Sequence, residues 1–400
     1  MDNPELLAVF RKVPAAEMLN ERQILEAFVD PGSMEEFLRR WYLNEFIDRG
    51  AGKVKFVRGR AGAGKTHFLR HLGLQAGTEG YLAVHIDALL MRLGAIDELY
   101  LAVAARVPWE DMIDRCALNI IRERLGYEDF QLPVPEFWGW VEKNHSHSFS
   151  RLKVYIREET DKWIAGLDLD AAWAAAVRGW VQRRLQGETE VDPVWQGWLR
   201  GEKQGAMARR SMGVTANIDR RSARAMLLSL AVLVANAGYR GLVLLIDNLD
   251  VMARTARVDG VPYYTRNWRD QGYEMFRELI DQSHQAAFLL IVVAGAPELF
   301  ENQKTGFPSY PALWSRVWSE VVPEQVDRFA DLIDLDRLWQ LDPADRSRLA
   351  EAWRVCRRSP GVEHPPAGPS PETWGLEWSV VRRTVARVVA DSEGGDPDGR

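Results

Sequence analysis

Apolar residues in this chain follow two rhythms. One is helical. Between Ala15 and Arg49 they recur at helical spacing, Ile24 with Phe28 and then Leu38, Trp41, Tyr42 and Phe46, broken at Asp30-Pro31-Gly32. The other rhythm is a set of short, β-rich apolar runs. Val54-Lys55-Phe56-Val57 is the first, Tyr81 to Ile86 (ending at Asp87) the second, Leu242 to Ile246 the third and Phe288 to Val293 the fourth. The third is apolar on both faces, as central strands of a parallel sheet are. Helical patterns alternate with these runs: Phe68 to Gln75, Ser222 to Asn236 followed by Gly238, and Tyr273 to His284. Such alternation predicts an α/β core on a parallel sheet with helices on both faces.

The pattern changes between residues 108 and 210. Trp109, Trp138, Trp140, Trp163, Trp173, Trp180, Trp195 and Trp198 lie there, half of the chain's 16 tryptophans. Helical segments such as Asp168 to Leu185 are separated by Pro133-Val134-Pro135 and Asp192-Pro193. The stretch reads as an all-helical insertion whose rings build a small core or meet a partner. From Val317 onward the pattern is mainly helical, with a Pro/Gly-rich connector from Ser359 to Pro371 and a polar tail from Ser392 to Arg400. The expected plan is therefore N-terminal helices and the first part of the core over 1–107, the insertion over 108–210, the second part of the core over 211–318, a helical lid over 319–391 and a disordered tail over 392–400. No internal repeat is evident.

Composition narrows the class. The chain has 400 residues, 46% hydrophobic and 27% charged, with a net charge of −6. That excludes a global positive field drawing it to nucleic acid or acidic membrane, so any DNA contact needs a local patch. Arg220, Arg221 and Arg224 form one such cluster, Arg354, Arg357 and Arg358 another; the plain reading of each is a solvated helix face. Cys116 and Cys356 fit no metal-ligand spacing and favour a reducing compartment. The start, Met1-Asp2-Asn3-Pro4-Glu5, lacks the basic region of a signal peptide, and the longest apolar run, Ala286 to Ala296, is too short for a bilayer. A cytoplasmic protein without membrane contact is expected.

The chemistry lies in the turn after the first strand. Gly59-Arg60-Ala61-Gly62-Ala63-Gly64-Lys65-Thr66 satisfies G-x-x-x-x-G-K-[ST], a match expected by composition about once in a hundred chains of this length. Glycines let the backbone curl around phosphates and aim successive N–H groups at them, and the following helix adds its positive end. Lys65 is placed to reach β- and γ-phosphate oxygens, and the Thr66 hydroxyl to bind Mg²⁺. ATP with Mg²⁺ is the expected ligand.

A phosphate loop of this kind needs an acid at a neighbouring strand's end on the metal side, and Leu242-Val243-Leu244-Leu245-Ile246-Asp247 supplies Asp247. The next residue, where many such ATPases carry Glu to polarise water, is Asn248, which orients water but accepts no proton. Asp250 either substitutes as base or caps a turn. Ala296 follows the fourth strand where a polar γ-phosphate sensor is common, leaving Glu298 and Asn302 as the nearest polar groups. Arg316 is either a finger for a neighbouring subunit's γ-phosphate in a homo-oligomer, or a surface arginine stacked on Trp314 or Trp318. Arg382 and Arg383 are either phosphate contacts from the lid or a solvated face.

With these pieces in order the chain resembles AAA+ ATPases of the origin-recognition and STAND-like branch, and more narrowly the BrxD-like ATP-binding proteins of BREX-type phage-defence systems. The segments that carry the resemblance run from Val57 through Thr66-His67-Phe68-Leu69, from Ala237 to Asp247, and from Ala294 to Phe300 with Tyr310-Pro311-Ala312-Leu313 after it. They cover roughly residues 20–107 and 211–320. The resemblance implies an additional-strand P-loop core, His67 among the nucleotide-binding residues, and antiviral defence alongside other subunits of the system. Asn248 and Ala296 depart from the family pattern, an acidic residue and Thr, and put hydrolysis rather than binding in question. Two rivals stay open: a non-hydrolysing ATP-gated switch that recruits a partner, and an initiator- or transposition-type DNA-binding ATPase.

Overall fold

A computed structural model of the protein describes residues 21, 24–25, 28–145, 149–188, 193–254, 264–283, 285–318 and 327–358. Five strands form one sheet: β1 Gly52–Arg58, β2 Leu82–Asp87, β3 Leu242–Asp247, β4 Leu289–Gly295 and β5 Leu332–Asp334. Their order is β2-β3-β4-β1-β5, and every pairing is parallel. The four expected apolar runs are β1 to β4. β4 lies between β1 and β3, so the strand before the glycine-rich turn and the strand ending in Asp247 are not neighbours.

Alternation along β3 and β4 sorts their side chains onto two faces. Val243, Leu245, Leu290 and Val292 pack in one cluster with Phe68, Leu69, Leu72 and Ala76 of helix α1 (Lys65–Thr78). Leu242, Leu244, Ile246, Ile291 and Val293 face the other way, joining Leu227, Leu230 and Leu233 of helix α2 (Ala223–Asn236). Period-2 side-chain alternation makes both faces apolar, and helices cover both. Helix α3 (Arg266–Asp281) precedes β4, helix α4 (Pro311–Val317) follows it, and helix α5 (Leu335–Leu341) leaves β5.

The tryptophan-rich stretch contains the helices Trp109–Asn119, Phe137–Asn144, Phe149–Ala165, Ala171–Leu185, Pro193–Leu199 and Ala206–Met212. Its rings are core. Trp109, Trp163, Trp173, Trp180, Trp195 and Trp198 belong to the cluster that also holds α2 and one face of the sheet, with Trp138 and Trp140 packed on its margin. Buried indole N–H groups need acceptors, and the three most deeply buried tryptophans have them. Trp109 donates to the Ala104 carbonyl at 2.8 Å, Trp173 to the Tyr100 hydroxyl at 3.1 Å and Trp198 to the Ala216 carbonyl at 3.0 Å.

Two features depart from the sequence pattern. β5 falls in the stretch expected to be mainly helical; three residues, Leu332-Ile333-Asp334, carry no readable periodicity, and the strand exists through its pairing with Phe56, Val57 and Arg58. Lys55 sits inside β1 and is fully buried. Its ammonium donates to the carbonyls of Phe329 (2.7 Å) and Ala330 (2.6 Å), lies 3.5 Å from Asp331, and stands over the Tyr42 ring at 4.2 Å. Burial pulls its pKa down to about 8 against the pull of Asp331. The lysine therefore staples β1 to the segment that feeds β5. The connector at 359–371 and the tail at 392–400 lie outside the described residues, as does most of the expected lid.

Lys55→Met keeps the chain's length but removes the donor from two carbonyls. Urea unfolding is expected to show a loss of about 1–3 kcal/mol; an unchanged midpoint would mean that Lys55 does not hold the β5 edge.

Candidate functional site

Parallel strands bring their C-terminal ends to one edge, where loops from different strands converge. The turn Gly59 to Thr66 leaves β1 there and enters α1. Gly62 (φ 78°) and Gly64 (φ 92°) adopt left-handed backbone conformations that side chains resist, and this reversal opens the first turn of α1 toward the strand ends. The Lys65 ammonium donates to the carbonyls of Gly59 (2.7 Å) and Arg60 (3.2 Å). Burial pulls its pKa below the ordinary lysine value, while the carboxylates of Asp250, Asp247, Asp336 and Glu298 act in the opposite direction.

The turn is also held from outside. The Arg60 N–H donates to Asp336 at 2.7 Å, the Trp339 indole donates to the Ala63 carbonyl at 3.1 Å, and the Gly59 N–H meets the Gly295 carbonyl at 3.4 Å. Asp336 and Trp339 belong to α5. Sequence reasoning missed both, because nothing local to Leu335–Leu341 says that the helix packs on a turn nearly three hundred residues earlier.

Thr66 and Asp247 meet across this edge. The Thr66 hydroxyl donates to Asp247 Oδ2 at 2.5 Å, and Asp247 Oδ1 accepts the Asn248 N–H at 2.8 Å. Asp247 is buried, and burial raises its pKa; the Thr66 and Asn248 hydrogen bonds and the Lys65 charge work against that rise. Asn248 takes a left-handed conformation (φ 59°), which Asn tolerates better than most residues. Its Nδ2 donates to Asp87 Oδ1 at 2.9 Å. Asp87 ends β2 in register with Asp247 on β3, and sequence reading assigned it no role beyond ending a strand.

Asp250 is buried and engaged on both oxygens. Oδ1 accepts the Ala296 N–H at 3.1 Å, and Oδ2 accepts from Arg254 at 2.8 and 3.1 Å. It ties the end of β3 to the end of β4, at the position where Ala296 offers no side-chain polar group. Asn302 Oδ1 caps its own turn, accepting from the N–H groups of Lys304 and Thr305. His67 stacks on Phe28 at 5.5 Å, and burial lowers its pKa to about 4. Its Nε2 is buried without a hydrogen-bond partner.

Arg316 does not join this cluster. On α4 it pairs with Asp281 at the end of α3 and donates to the Ala312 carbonyl. Arg220 bonds Gln271 and approaches Asp97, and Arg224 pairs with Glu278, so two arginines of that cluster have partners within the chain. Arg382 and Arg383 lie outside the described residues, and so do the side chains of Arg354, Arg357 and Arg358. Among the described residues no group of three or more His, Cys, Asp or Glu could hold a metal ion, and no helix is long and apolar enough to cross a membrane. A cation at this edge would have a hydroxyl and a carboxylate beside the loop amides. Such hard oxygen donors fit Mg²⁺, which shares its shell with phosphates.

The family model described as "BREX system ATP-binding protein BrxC/D" matches residues 43–352. No curated protein and no solved structure matches the chain. The match spans the turn, all five strands, the tryptophan-rich stretch and α5, and the chain belongs to this family of ATP-binding proteins.

Asp250→Asn keeps the shape and removes the charge. Arg254 then loses its ion pair at a buried carboxylate, and a loss of about 1–3 kcal/mol in urea unfolding is expected. An unchanged midpoint would contradict a structural tie between β3 and β4.

Proposed function

We propose that this BREX-family chain is an ATP-binding, slowly hydrolysing AAA+-like component of a multi-protein bacterial antiphage system, working with other subunits of that system in the cytoplasm. The observation that carries the reading is the approach of Thr66 to Asp247 beside Lys65. A hydroxyl, a buried carboxylate and an ammonium from two separate segments converge where a glycine-rich turn opens a helix.

In this reading the loop amides from Gly59 to Thr66 and the N-terminal end of α1 hold the phosphates. Lys65 leaves the carbonyls of Gly59 and Arg60 for β- and γ-phosphate oxygens. Thr66 and Asp247 hold Mg²⁺, whose chemical contribution when bound is to neutralise phosphate charge. His67, one residue beyond Thr66, contributes to the nucleotide pocket with its unpartnered buried Nε2, and Arg383 contributes from the lid. Arg316 serves a neighbouring subunit of a homo-oligomer after release from Asp281.

Slow turnover follows from two side chains. Asn248 accepts no proton, and Ala296 gives the γ-phosphate no polar contact. The same two residues favour the second reading, a switch in which ATP binding orders the lid without hydrolysis. A DNA-binding ATPase has less support, since Arg220 and Arg224 already have partners within the chain.

Lys65→Ala is expected to weaken ATP affinity at least about a hundredfold, by loss of a desolvated ammonium–phosphate contact, while the chain still unfolds in one cooperative transition. Calorimetry with Mg²⁺ reads the first and a melting curve the second. Equal ATP affinity in wild type and variant would sink the reading. Wild-type turnover no higher than the variant's, with binding intact, would select the switch.

A further inference from the structure

Resting on the reading of this edge as an ATP-hydrolysing site, we infer that Asp87 is its general base, delivered from β2 and oriented by Asn248. A carboxylate with a free oxygen near the strand ends can take the proton that the attacking water loses as its oxygen bonds to phosphorus. Three aspartates end or follow β2 and β3, the strands on the metal side of the turn, and their hydrogen bonds separate them.

Asp247 is engaged by Thr66 on one oxygen and by the Asn248 N–H on the other. Asp250 is engaged by the Ala296 N–H on one oxygen and by Arg254 on the other. Asp87 differs. Its two hydrogen bonds, from Asn248 Nδ2 and from the Leu89 N–H, both at 2.9 Å, fall on Oδ1. Among the described residues Oδ2 accepts none. Asp87 is only half-buried, so this oxygen can meet water.

The backbone explains how the group comes to be there. The parallel register sets Asp87 beside Asp247, and the two chains stay joined past the strand ends, where the Ala88 N–H donates to the Asp247 carbonyl at 3.0 Å. The left-handed turn at Asn248 carries its amide to the β2 side. The residue that cannot take a proton is thus bonded to one that can. In the step itself, the water oxygen bonds to the γ-phosphorus while the bond to the bridging oxygen breaks. ADP leaves with that electron pair, and the water's proton passes to Asp87 Oδ2 and then to solvent. Asn248 is a positioning residue.

Asp87→Asn tests this, because Asn keeps the Oδ1 acceptor for the Leu89 N–H while losing basicity. The full chain is assayed with Mg²⁺ and ATP, alone and with duplex DNA, and ATP affinity is measured separately by calorimetry. Turnover in Asp87→Asn is expected to fall at least about a hundredfold, with ATP affinity within about threefold of wild type. The nucleotide retained by the variant is expected to be ATP rather than ADP. Adding Asn248→Glu to Asp87→Asn is expected to restore part of the turnover by supplying a carboxylate one strand over.

Unchanged turnover in Asp87→Asn overturns the inference. Parallel loss of affinity and turnover does so too, since it makes Asp87 a binding or folding residue. A wild-type chain that binds ATP and turns none over also overturns it, while leaving the nucleotide site standing. Failure of the wild type to bind ATP at all removes the underlying reading instead.

Discussion

The hydrogen bond from Thr66 to Asp247 depends on a sheet that is parallel and ordered with β4 between the two segments involved. Thr66 opens the helix after β1, and Asp247 ends a strand two positions away. In a parallel sheet both lie on the same edge without further design. The carboxylate is buried, which by itself favours the protonated form. Thr66, the Asn248 N–H and the Lys65 ammonium offset that cost from three directions. Removing any one leaves the others facing a poorly solvated charge. The strands, the turn and the side chains around it are therefore one electrostatic unit.

How much of this could be read in the sequence follows from how local each signal is. β3 and β4 announce themselves because strands buried on both faces are apolar throughout. The phosphate turn announces itself because Gly62 and Gly64 take backbone conformations that few residues share. β5 was hidden, since three residues are too few for a period and its partner lies in β1. Lys55 was misleading in the opposite sense. In a strand pattern it suggests a solvent-facing position, but the carbonyls of Phe329 and Ala330 and the ring of Tyr42 give a buried ammonium what water would. The tryptophans could have built a core or met a partner. What decides is burial together with an acceptor for the indole N–H, and for Trp173 that acceptor, the Tyr100 hydroxyl, lies 73 residues away, beyond any local window.

The same distinction separates the site residues. Lys65, Thr66 and Asp247 follow from motif and strand-end position. Asp336 and Trp339 do not, because their contacts with Arg60 and Ala63 span 276 residues of sequence. These contacts give α5 a grip on both sides of the turn, with an acceptor on one N–H and a donor on one carbonyl. The turn's shape is thus fixed partly by its own glycines and partly by the helix that leaves the last strand. A rearrangement of the turn would have to break or carry along the contacts that Asp336 and Trp339 make with it.

The charge balance at this edge explains why its acids are so unequally engaged. Asp247, Asp250, Asp336 and Glu298 all act on the single ammonium of Lys65. A triphosphate brings more negative charge to the same place. Repulsion of that size is tolerable only if most of the carboxylates are already neutralised by their own partners. Asp250 is, through Arg254 and the Ala296 N–H, and Asp336 accepts a loop N–H. In the proposed reading Lys65 turns to phosphate, and Asp247, buried beside Thr66, would then need a cation of its own, which a divalent ion would supply. A carboxylate meant to receive a proton must stand apart from this neutralised set, keep one oxygen toward water and be aimed by a neutral hydrogen bond. An amide at position 248 meets that last requirement, whereas a glutamate there would repel Asp87.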